Sequence, residues 1–81
     1  MIIKVLGTGC SKCNVLEQKL IGLKDKNNLD FQIEKITQLN DIMSYGVMMT
    51  PGLVINEVLK SSGKVPDDTQ LLKWIQEAQN E

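Results

Sequence analysis

Eighty-one residues is the length of one small domain with room for a single core, and 42% hydrophobic residues is too rich for a disordered chain. Nine lysines face ten carboxylates, for a net charge of −1, and there is no arginine and no histidine. That balance carries no basic patch for nucleic acid, no bidentate guanidinium clamp, no imidazole for acid–base or Ser/His and Cys/His chemistry, and little for a mixed zinc site.

The first strand is predicted over Ile2–Leu6, a β-branched run closed by Gly7. Thr8-Gly9 is a turn. Cys13, Leu16, Leu20 and Leu23 then recur at helical spacing, and Asp25–Asn28 ends that helix. Asp30–Ile36 alternates as a second strand, with Phe31, Ile33 and Lys35 on one side. Thr37 is the expected N-cap of a short helix that turns Leu39, Ile42 and Met43 inward and stops at Gly46. Leu53-Val54-Ile55 reads as a central strand and Val58-Leu59-Lys60 as a returning edge strand. Glu57 is a poor residue where φ must be positive, so the Asn56-Glu57 connection is expected to use a turn other than the tight one. Asp67 with Gln70 resembles a capping box for a last helix carrying Leu71, Leu72, Trp74, Ile75 and Ala78. The order is βαβαββα over a single domain, 1–81. A parallel first pair, a later antiparallel hairpin and three helices make an α/β fold with a four-stranded mixed sheet.

No stretch approaches the ~20 apolar residues of a membrane span, and MIIKVLGTGC is too short and too quickly polar for a secretory signal. No membrane or nucleic-acid partner is expected, and the location expected is the cytoplasm. The two cysteines, Cys10 and Cys13, are poorly placed as a staple. Closing a four-residue loop gives only ~2 kcal/mol on the chain-entropy account, against ~4–5 kcal/mol for a loop of domain length.

Chemistry is the better reading of that pair. Cysteines three apart at a helix start lie on one side and can close a disulfide. The free N–H groups and positive end of the helix favour a thiolate at Cys10, below the usual thiol range near ~8.5, and Lys12 adds a nearby charge. Cys10 is at the exposed tip, whereas Cys13 begins the apolar face. Cys10 is therefore the expected nucleophile and Cys13 the resolving thiol.

Strand one, a Cys10-Ser11-Lys12-Cys13 motif at a helix start, Thr50-Pro51 before a Leu-Val-Ile strand and a final helix together resemble the thioredoxin fold. GTGCSKC near the N-terminus and YGVMMTPGLVINE look most like the small glutaredoxin-sized, thioredoxin-like redox-active disulfide proteins of archaea and bacteria. The resemblance implies a thiol–disulfide oxidoreductase with Cys10 as nucleophile and Cys13 as resolving partner. It implies that Pro51 is a cis-proline beside the disulfide, and that the Thr50 backbone pairs with an extended substrate. Ser11 and Lys12 would modulate the couple. The implied partners are a disulfide-containing protein or small thiol and a flavin-dependent or glutathione-based reductase. The chain would act as a monomer and need no bound organic cofactor.

The chain also departs from the families it resembles. No aromatic residue precedes Cys10, no tyrosine lies within the motif, and strand one offers Lys4 where thioredoxin buries an acid. The rival reading is a soft-metal (copper or zinc) binding or transfer module using the same two cysteines. Against it, Thr8 stands where that family has methionine, and the chain ends in a helix. Met48 and Met49 are expected to be one packed and one lining the cleft, and Tyr45 and Trp74 to be core or half-core aromatics.

Overall fold

The computed structural model describes residues 1–80, so the expected domain end at 81 lies outside them. The β-branched run at the N-terminus forms strand β1 (Ile2–Leu6) at the middle of a four-stranded sheet. Helix α1 (Ser11–Lys26) carries the chain over one face to β2 (Gln32–Ile36), which pairs parallel to β1. After α2 (Leu39–Ser44), β3 (Gly52–Ile55) returns antiparallel on the other side of β1. A two-residue turn then leads to β4 (Val58–Ser62), and α3 (Asp68–Gln79) closes the chain. The sheet order is β2-β1-β3-β4. This is the βαβαββα order and mixed sheet expected from the sequence, and it is a thioredoxin-like fold.

The sheet divides the apolar side chains into two unequal layers. Alternation turns Ile3, Val5, Leu53 and Ile55 toward α1 and α3, where they meet Leu16, Leu20, Leu71 and Ile75. Each of these four helical residues is fully buried, a contribution of roughly 1.5–3 kcal/mol per side chain. On the opposite face Leu6 and Val54 meet only Ile42 and Val47, with Ile36 and Tyr45 half-buried at the margin. Phe31 is buried in the larger layer but precedes β2, which begins two residues later than the alternation suggested.

Local signals set the ends of the long helices. The Asp67 carboxylate accepts from the Gln70 N–H at 2.9 Å and caps α3. Lys24 and Lys26 lie at the negative end of α1. The short helix differs from expectation. Its N-cap is Gln38 rather than Thr37, with no side-chain cap bond, and only Ile42 is buried, while Leu39 and Met43 are 62% and 57% exposed. Six residues make less than two turns, and the thin smaller layer takes one side chain from them.

The hairpin also departs from the reading. Asn56 and Glu57 have φ of 50° and 65°, the tight two-residue geometry that Glu57 was expected to avoid. Three contacts, two from β1 and one from α3, hold this turn. The Glu57 carboxylate accepts from Lys4 Nζ at 2.6 Å, the Asn56 N–H donates to the Ile2 carbonyl at 3.3 Å, and the Asn56 side chain donates to the Ala78 carbonyl at 3.5 Å. In β4, Leu59 faces Val54 and Ser61 faces Leu53, so Lys60 is the extra residue of a bulge and the strand runs on to Ser62.

Candidate active site

The site forms where β1 gives way to α1. Gly9 has φ of 91° and open space around it, so glycine serves a torsion there. Cys10 follows in extended conformation as the N-cap of α1, and its sulfur accepts the Cys13 backbone N–H at 3.3 Å. A helix start leaves its first N–H groups without partners inside the helix. Here a sulfur takes one of them, in the role a serine or aspartate oxygen usually fills.

Cys10 and Cys13 are joined by a disulfide, with their Cα atoms 5.1 Å apart. The two sulfurs differ in surroundings. Cys10 is half-exposed, and Cys13 is 4% exposed at the head of the face that continues through Leu16 and Leu20. Ser11 and Lys12 are exposed in the first turn, which contains no acidic residue. An ammonium in that position is largely screened by water and salt, so its pull on the cysteines is modest.

The second wall is the segment before β3. The Thr50–Pro51 peptide bond is cis; Pro51 is buried and Thr50 half-buried. The Pro51 carbonyl accepts the Gly63 N–H at 2.9 Å, which ties this loop to the end of β4. Met48 and Met49 just before it are 88% and 68% exposed, so neither is packed as expected. Val47 takes the interior place instead. It is seated over the bare Cα of Gly52, where an added Cβ would lie 2.7 Å from the valine methyl.

β1 carries no acid toward Cys13. Its one charged residue, Lys4, turns to the α2 side, where Nζ donates to Tyr45 Oη at 2.7 Å as well as to Glu57. Hydrogen bonding to Glu57, and then to Tyr45, raises the Lys4 pKa well above the ordinary lysine range. Tyr45 and Trp74 are both half-buried, Tyr45 beside the smaller layer and Trp74 against the larger. A cleft of about 380 Å³ opens between α1 and α3, lined by Lys19, Leu23, Asp68 and Leu72 among others, and contains none of the sulfur-site residues.

Gly7 is the site residue that sequence reading passed over as a strand end. A Cβ on it would overlap the Cys13 sulfur and lie 3.6 Å from Thr50 Cβ, so the two walls of the site converge on this position. The only signal in the sequence was a glycine three residues before the first cysteine.

Two thiols at a helix tip can cycle between dithiol and disulfide, and that is the chemistry this arrangement supports. The soft-metal reading finds no support. Among the described residues no group of three or more His, Cys, Asp or Glu side chains is placed to hold an ion. None of the helices described is long and apolar enough to cross a membrane.

Comparison with known proteins points the same way. Residues 1–76 match the family model described as a thioredoxin domain. A thioredoxin of Methanocaldococcus jannaschii is 33% identical over 66 residues, covering 82% of this chain and 76% of that protein. A thioredoxin of Methanothermobacter thermautotrophicus is 32% identical over 73 residues, covering 90% of this chain and 95% of that protein.

Proposed function

The chain belongs to the thioredoxin family and is a thiol–disulfide oxidoreductase, and from that premise we propose that Cys10 is the attacking sulfur and Cys13 the resolving one. The observation that carries this assignment is the asymmetry of the pair, one sulfur half-exposed and hydrogen-bonded at the helix tip, the other 4% exposed behind it.

In the reduced protein the Cys10 thiolate attacks one sulfur of a substrate disulfide. A mixed disulfide forms, and the other substrate sulfur leaves as a thiolate and takes up a proton. Cys13 then gives up its proton and attacks the Cys10 sulfur. The Cys10–Cys13 bond closes and the second substrate thiol is released, so two electrons have passed from protein to substrate. The Cys13 N–H bond to the Cys10 sulfur and the positive end of α1 favour the thiolate that this sequence uses at its start and regenerates when the protein is reduced. Thr50 and Pro51 hold the substrate segment beside the sulfurs, through backbone pairing at Thr50. Ser11 and Lys12 modulate the couple from the exposed first turn.

The substrate class is a disulfide-bearing protein or small thiol. A separate reductase, flavin-dependent or glutathione-based, restores the dithiol. The reaction belongs in a reducing compartment, the cytoplasm, and residues 1–81 act as one domain because both apolar layers rest on one sheet. Substitution tests the roles. Cys10→Ser removes insulin disulfide reduction, and Cys13→Ser accumulates a mixed disulfide visible by intact mass. Reduction by Cys10→Ser at the wild-type rate would overturn the assignment.

A further inference from the structure

Gly7 closes β1 in a buried position, and its N–H donates to the Ile36 carbonyl at 2.9 Å, so its backbone is held by the sheet. Its φ is outside the left-handed region, unlike those of Gly9, Gly46 and Gly63. Space, not torsion, is therefore what requires glycine here. A Cβ at position 7 would overlap the Cys13 sulfur and stand 3.4 Å from Cys13 Cβ and 3.6 Å from Thr50 Cβ. The opposing helix cannot retreat without cost, because Leu16 and Leu20 on the same face as Cys13 are fully buried.

The sulfur is thus the atom that must give way. In the dithiol form it can turn about its Cα–Cβ bond to another staggered position. In the disulfide form it is tied to Cys10 and cannot. A side chain at position 7 therefore penalises the closed form more than the open one. We propose that Gly7 is a positioning residue for the redox pair: its bare Cα leaves the room in which the Cys13 sulfur closes on Cys10, and so favours the disulfide side of the couple. This rests on the reading of Cys10 and Cys13 as the exchanging pair.

The equilibrium to measure is protein disulfide plus two glutathione thiols giving protein dithiol plus glutathione disulfide. It is balanced in two electrons and two protons. Wild type and Gly7→Ala are each equilibrated with glutathione buffers, quenched by alkylation and read by intact mass. Gly7→Ala is expected to shift the constant at least fivefold toward the dithiol. A smaller shift, or one toward the disulfide, overturns the proposal. A wild type that exchanges normally beside an unshifted variant defeats Gly7 alone; a wild type that does not exchange defeats the redox reading and this proposal with it.

A second measurement holds even where Gly7→Ala folds poorly. Urea unfolding is compared for wild type, Gly7→Ala, Cys13→Ala and the double variant. The loss from Gly7→Ala is expected in the oxidised protein, where the sulfur is tied to Cys10, and largely absent in the Cys13→Ala background. An equal loss in both backgrounds would make position 7 a backbone packing site and overturn the proposal.

Discussion

Opening the Cys10–Cys13 bond removes a cross-link whose ends are three residues apart in sequence. With four residues in the loop, the chain-entropy relation gives about 6 cal/mol/K, or about 2 kcal/mol at 25 °C. A domain of this length carries ~4–12 kcal/mol in all, so the loss is measurable and survivable. It corresponds to a fall of roughly 8–16 °C in melting temperature. Reduction should therefore leave a folded dithiol protein, which the exchange cycle requires; a bridge spanning the domain would cost ~4–5 kcal/mol each time it opened. The assay is circular dichroism at 222 nm, by heat and by urea, on oxidised protein and on protein kept reduced with a phosphine. At pH 5, below the range in which ordinary thiols ionise, the loop term acts with little contribution from thiolate stabilisation. A reduced form as stable as the oxidised one at that pH, or more stable, would refute the loop argument.

Three further outcomes follow from the packing and the charges. Leu16→Ala, at a fully buried position one turn beyond Cys13, should cost about 2–5 kcal/mol in urea unfolding; a loss under ~1 kcal/mol would mean that α1 is not held through this face. The Ser61 hydroxyl is buried and finds no hydrogen-bond partner among the described residues, so Ser61→Ala should be neutral or raise the urea midpoint, and a clear loss would reveal a partner. Lys4 has a raised pKa in the folded chain, so its contribution is complete below the ordinary lysine value near ~10.4 and is lost as pH rises through the raised native value. The urea-midpoint gap between wild type and Lys4→Met should then stay level up to about pH 10 and shrink above it; a gap that closes already between pH 7 and 9 would contradict the Lys4–Glu57–Tyr45 contacts.

Local chemistry made much of this molecule readable from its residues. The β-branched runs marked β1 and β3, and the spacing of Cys13, Leu16, Leu20 and Leu23 marked a helical face that is buried throughout. Asp67 announced its helix because capping is settled within three residues. The two cysteines announced a sulfur site for the same reason, since one helical turn brings them together wherever the rest of the chain goes. Non-local packing decided the remainder. Leu39, Met43, Met48 and Met49 are apolar enough for an interior, but the layer beyond β1 and β3 is thin and is filled by Ile42 and Val47. Glu57 adopts a torsion its own preferences oppose, in a turn held by Lys4, Ile2 and Ala78, residues distant in sequence. Gly7 carries no mark that separates a strand end from a place kept empty for a sulfur. That distinction exists only once α1 is laid against β1, because the room around a Cα is a property of the surfaces that meet there.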